Sequence, residues 1–132
     1  MTAIWSRQAK YERWMQVEIA VCEAHADDGL ITPEEMAEIR AKAAFTLERC
    51  DEIEQETRHD LAAFVRNLEE SIGPAGRWIH FGVTSYDIID TALGMMLRDS
   101  GDVLLASAKT LHAEVMRLAE EHKGTPMIGR TH

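Results

Sequence analysis

The stretch Arg77-Trp78-Ile79-His80-Phe81-Gly82-Val83-Thr84-Ser85-Tyr86-Asp87-Ile88-Ile89-Asp90-Thr91 turns a loop into the start of a long helix. Gly82 can take backbone angles that are costly for other residues. Thr84 or Ser85 can act as N-cap, and Asp87 or Asp90 suits the positive end of a helix dipole. From Ser85 the helical pattern runs to about His122, roughly 37 residues or about 55 Å at 1.5 Å per residue. Leu104, Ala108, Leu111, Val115 and Leu118 alternate four and three apart, as in a bundle seam. Ile89, Leu93, Met96 and Leu97 carry a similar stripe upstream. Gly94 and Gly101 each cost about 1 kcal/mol in helix propensity and permit either a close helix approach or a bend. The shorter helices before it cannot cover a helix of this length. Partner helices are expected, from an oligomer or from further chain.

Working outward toward the N-terminus, the pattern stays helical. Over Ser6 to Asp28, Tyr11, Trp14, Val17, Val21 and Ala24 recur at spacings of three and four, with Ser6 as N-cap and Gly29 as stop. Trp5 and Trp14 read as core anchors, and His25 sits where a partial positive charge favours the helix dipole. Thr32-Pro33-Glu34-Glu35 is a capping box with proline at the first helical position. Met36, Ile39 and Ala43 then face inward, and the helix ends near Ala44. A short acidic helix restarts at Thr46 with Leu47, Cys50 and Ile53 inward. Beyond Thr57-Arg58-His59-Asp60, with Asp60 as possible cap, Leu61, Phe64, Val65, Leu68 and Ile72 form another stripe. Gly73-Pro74-Ala75-Gly76 breaks it. No strand-like alternation of useful length occurs. The expected fold is all-α, an N-terminal helical domain over 1–84 leading into an elongated helical bundle that starts at 85–132.

Composition narrows the function. With 14 Lys and Arg against 23 Asp and Glu in 132 residues, the net charge is −9. That balance argues against a nucleic-acid binder, so any anionic ligand must be met by locally gathered cations. Cys22 and Cys50 lie at apolar helical positions with neither metal spacing nor a disulfide framework, which suggests a reducing, cytoplasmic setting. Nothing resembles a signal peptide or a membrane span.

Three clusters carry chemistry: Arg58/His59/Asp60, His80/Thr84/Ser85 and Arg130/Thr131/His132. Histidine works as acid or base near neutral pH, and arginine grips carboxylate or phosphate in bidentate fashion. Hydroxyls at a helix N-terminus hold an oxyanion. The set suits a polyanionic substrate and a proton transfer. It does not suit metal hydrolysis, because no histidine has a ligand-spaced partner. Taken singly, each residue has a plainer reading: His59 caps a helix or fills a core, Arg58 pairs on the surface, and His80 bonds a backbone carbonyl. His112 and His122 read as structural or solvent-facing. The joint occurrence favours function.

Thr57-Arg58-His59-Asp60, then Trp78 to Thr91, then Gly129-Arg130-Thr131-His132, with Ala3-Ile4-Trp5-Ser6 at the start, resemble the adenylosuccinate lyase family of the fumarase/aspartase superfamily. The resemblance covers essentially the whole chain. It implies β-elimination of fumarate from adenylosuccinate to give AMP, and from the succinylated carboxamide ribotide SAICAR to give AICAR, in purine biosynthesis. It implies His132 as general acid, Thr131 beside it, and Arg58, His59, Asp60, His80, Thr84 and Ser85 as substrate-binding residues. No metal and no organic cofactor is implied, and the full-length family assembles as a homotetramer with each site built from three subunits. Family members also have an Arg-Tyr pair before the first helix. They continue beyond the Thr-His pair to a mobile loop whose serine is the catalytic base. Neither feature occurs in these 132 residues. The chain is therefore expected to be an N-terminal fragment that holds the acid without the base and is inactive alone. Two alternatives remain: another lyase of the fumarase/argininosuccinate lyase superfamily, or a helical assembly domain without catalysis.

Overall fold

A computed structural model describes residues 1–132. Five α-helices follow one another: α1 (Arg7–Asp27), α2 (Pro33–Lys42), α3 (Leu47–Thr57), α4 (Asp60–Ile72) and α5 (Ser85–Glu121). A 3-10 turn, Pro74–Trp78, links α4 to the loop before α5. There is no strand, so the all-α expectation holds.

The helix starts follow local chemistry. Ser6 caps α1 by accepting the Ala9 N–H at 3.1 Å, and Thr46 caps α3 by accepting the Arg49 N–H at 3.2 Å. In the α2 box the Thr32 hydroxyl takes the Glu35 N–H, and the Glu35 carboxylate returns to the Thr32 N–H at 3.1 Å. At α4 the expectation is corrected. His59, not Asp60, is the cap, its Nδ1 accepting the Ala62 N–H at 3.4 Å. Asp60 is the first helical residue. Arg58, the C-cap of α3, lies in the left-handed region at φ 55°, and His59 after it is extended, the backbone an N-cap needs, so the helix begins at Asp60.

An aromatic cluster forms the centre of the core. Tyr11 stacks on Trp14 with centroids 4.6 Å apart, and Phe64 meets both edge-on. Ile39, Cys50, Ile53, Leu68 and Ile72 complete the packing. The inward stripe of α1 runs through Glu18 and Cys22, while Ala24 is exposed. Trp5 also departs from expectation. It is 45% exposed and lines a groove with Trp14, Ile89, Leu93 and Met96. It precedes the Ser6 cap, where the chain has not yet entered the packed face.

α5 has two halves. Ile88, Ala92, Met96 and Ser100 are buried, and Asp99 pairs with Arg13 of α1 at 2.5 Å. From Gly101 onward every residue is exposed. The expected seam residues Leu104, Leu111, Val115 and Leu118 are 40–65% exposed along this bare half.

Candidate active-site cleft

The turn before α5 is shaped by contacts from three other elements. The Trp78 indole N–H donates to the Glu35 carboxylate of α2 at 3.1 Å, and Arg77 pairs with the same oxygen at 2.5 Å. His25 of α1 places Nε2 3.0 Å from the Phe81 carbonyl, so this histidine holds the turn rather than serving the helix dipole alone. Gly76 lies so close to α4 that a Cβ there would come within 2.8 Å of the Glu69 Cα. Gly82 sits at φ 76° and His80 at φ 62°, both left-handed. Glycine accepts that conformation freely, whereas histidine needs its surroundings to impose it.

Glu18 imposes it. This α1 carboxylate is fully buried and takes two bonds from one residue. Its Oε2 accepts the His80 backbone N–H at 2.8 Å, and its Oε1 lies 2.7 Å from His80 Nδ1. Burial pushes the Glu18 carboxyl above its ordinary value, opposed by the bonds from His80. A backbone carbonyl is the plainer partner expected for His80. The partner is a carboxylate 62 residues away. One signal was present: Glu18 falls between Trp14 and Cys22 at four-residue spacing, inside an apolar stripe.

His80 and Ser85 face Leu61, Ala62, Val65, Arg66 and Glu69 of α4 across a cleft of about 300 Å³. The first turn of α4, capped by His59, forms one end of that wall. Asp60 is held by the Leu61 N–H at 2.8 Å and by Lys10 at 3.3 Å. Arg58 and His59 are exposed. At the start of α5, Asp87 reaches back to accept both the Thr84 N–H (2.7 Å) and the Thr84 hydroxyl (3.0 Å). These bonds, backbone first, hold the Asp87 carboxyl below its ordinary value. Both Thr84 donors are thereby occupied, and Ser85 is the hydroxyl that lines the cleft.

Thr131 and His132 stand elsewhere, in the exposed segment after α5. The 37 residues of α5 span about 55 Å. His132 lies eleven residues past Glu121, a reach of at most about 40 Å when fully extended. While α5 is intact, His132 cannot return to the Ser85 end of its own chain. Of the sequence-read clusters, His80 and Ser85 share the cleft, His59 reaches only its edge by capping the N–H of Ala62, Asp60 turns to Lys10, and the third cluster stands apart.

A family model described as lyase matches residues 1–132. The chain belongs to that lyase family. It is 42% identical to the adenylosuccinate lyase of Bacillus subtilis (strain 168) and 43% identical to that of Streptococcus mutans, each over 132 residues. With the adenylosuccinate lyase of a Synechocystis species the identity is 46%. In all three comparisons the whole chain is covered, but it spans only 31% of the relative's length. The crystal structure of a fumarate lyase from Mesorhizobium sp. BNC1 superposes with a TM-score of 0.89 at 30% identity, covering 99% of this chain and 32% of that one. No helix is long and apolar enough to cross a membrane.

Proposed function

We propose that these 132 residues form the N-terminal third of a cytoplasmic adenylosuccinate lyase. The observation that carries the reading is the 42–46% identity to adenylosuccinate lyases across the entire chain. Residues 1–84 serve as the N-terminal domain, and 85–132 begin the helical bundle. The substrates are adenylosuccinate and SAICAR, and the reaction is elimination of fumarate in purine biosynthesis.

In that reaction a base removes a proton from the succinyl carbon beside a carboxylate. The carbon–nitrogen bond breaks, its electron pair leaves with the nitrogen, and the new double bond completes fumarate. His132 donates the proton that the departing amine takes up, with Thr131 beside it. Arg58, His59, Asp60, His80, Thr84 and Ser85 hold the anionic substrate, and donors among them stabilise the negative charge that develops at the carboxylate. Ser85 and His80 are aimed into the cleft. Thr84 contributes by fixing the helix start through Asp87. The base comes from chain beyond these residues.

The separation between the cleft and His132 supports a shared site. A single chain with α5 intact cannot join them, so the acid is delivered by a neighbouring subunit, consistent with a homotetramer. Ultraviolet monitoring of adenylosuccinate tests the reading. Turnover to AMP and fumarate is expected from the complete protein and none from the 132-residue chain alone. An inactive complete protein would sink the assignment. The superposition on a fumarate lyase favours a second reading, a related lyase acting on another succinyl adduct. A substrate panel separates the two.

A further inference from the structure

We propose that Glu18 is a positioning residue that sets the proton arrangement of His80, so that Nε2 faces the cleft as a charged donor to an anionic ligand. The ligand rests on the lyase reading above; the proton arrangement rests on geometry alone.

An amide N–H can only donate, so Glu18 Oε2, 2.8 Å from the His80 nitrogen, must accept. The second oxygen then faces Nδ1 at 2.7 Å, a charge-assisted distance. A carboxylate there demands a proton on Nδ1. When His80 is neutral, that is its only ring proton, and Nε2 carries a lone pair. When the pair holds one further proton, Nε2 gains it and the ring becomes an imidazolium, neutralised by Glu18 on one side. Its Nε2–H is left for whatever enters the cleft. The His80 side chain is 25% exposed and lines the cleft, whereas Glu18 is sealed. The left-handed backbone at His80 is held by the same carboxylate, which couples the direction of the ring to its protonation.

Other charges facing this pair are few. Arg66 and Glu69 of α4 line the cleft with His80. Glu69 is itself pushed up by burial, with His80 among the groups opposing that shift. On α5, Asp87 feels His80 more weakly than it feels Thr84. None of these hydrogen-bonds to the His80 ring, so Glu18 governs the proton.

The isosteric Glu18→Gln variant gives a sharp test. Glutamine has one acceptor oxygen and one NH₂ donor. The His80 N–H claims the oxygen, which turns the NH₂ toward Nδ1 and forces Nδ1 to accept. The ring proton must move to Nε2. The two proteins should therefore show opposite neutral tautomers: Nδ1–H in the wild type and Nε2–H in E18Q. Long-range ¹H–¹⁵N correlation on protein labelled with ¹⁵N at histidine reads this directly, with His80 assigned by its loss in His80→Asn. An Nε2–H tautomer in the wild type would overturn the proposal without any variant, so a poorly folded E18Q does not shelter it. The same tautomer in both folded proteins would overturn it as well.

AMP serves as the ligand probe, titrated near neutral pH into the complete protein and its E18Q variant. Losing the charged donor should weaken binding by about tenfold. Opposite tautomers together with no AMP binding by the wild type would sink the lyase reading and leave the proton arrangement intact. Opposite tautomers with equal AMP affinity would overturn the assigned role of the charge.

Discussion

Glu18 is the one charged side chain among the buried residues, and it spends both carboxylate oxygens on His80. A buried carboxylate without partners would be strongly disfavoured. The other buried titratable groups behave differently. Cys22 and Cys50 are fully buried, and desolvation pushes each thiol up to about 11. At pH 7 about one in ten thousand is then thiolate. An aromatic disulfide reagent should leave both untouched in the native protein and titrate both on unfolding. Rapid native labelling of either would contradict the packing described. Asp87 gives the pH dependence. Its folded value lies below the ordinary 3.8, so the unfolded chain takes up that proton first as the pH falls. The stability it contributes is complete above about 3.8 and is lost as the pH drops through the lower folded value. Melting temperature measured between pH 5 and 2 should fall less steeply in Asp87→Asn than in the wild type. At this scale the sequence was legible where the interaction is local. The caps at Ser6 and Thr32 stand where their residue types indicated, and of Thr84 and Ser85 the cap of α5 is Thr84. At α4 both His59 and Asp60 were readable as caps, and the structure takes His59, the plainer reading of that histidine.

At the scale of elements, the close approach of the 3-10 turn to α4 sets the position of His80. Gly76 permits it, because a Cβ would meet backbone atoms of Glu69 at 2.8 and 2.9 Å, and backbone cannot rotate away. Gly76→Ala should cost about 1–3 kcal/mol through overpacking. It should also move the turn enough to loosen the Glu18–His80 contact. Thermal unfolding reads the first effect and the His80 ring resonances the second. A neutral outcome in both would mean that the approach is not a constraint. Helix existence and extent were legible because each apolar stripe is a one-dimensional pattern. The long α5, expected over Ser85 to His122, spans Ser85–Glu121. Contacts across 44 to 62 residues, such as Arg7 to Asp51 and His80 to Glu18, were not legible, since spacing along the chain does not say which helices meet. Trp5 shows the same limit for burial, because an aromatic ring near a helix start can pack or line a groove.

Over the whole molecule, the dominant feature is a half-buried α5 whose second half carries an unpartnered apolar stripe. Seven large apolar residues between Val103 and Leu118 are each at least 40% exposed. A stripe of this kind favours helix–helix association. Sedimentation should show species well above 14.9 kDa, and Leu104→Glu with Leu111→Glu should return the chain toward monomer. Monomeric wild-type protein would remove that face as an assembly surface. The same projecting helix separates His132 from the cleft, so under the proposed function His132 and the residues around the cleft act together only across different subunits. The most direct measurement mixes two inactive variants of the complete protein, His59→Gln and His132→Gln. After dissociation and reassembly together, the absorbance change of adenylosuccinate is followed. Random mixing should restore up to about a quarter of wild-type activity, because some sites then receive both native histidines. A mixture that stays inactive although subunits demonstrably exchange, beside an active wild type, would contradict a site shared between chains.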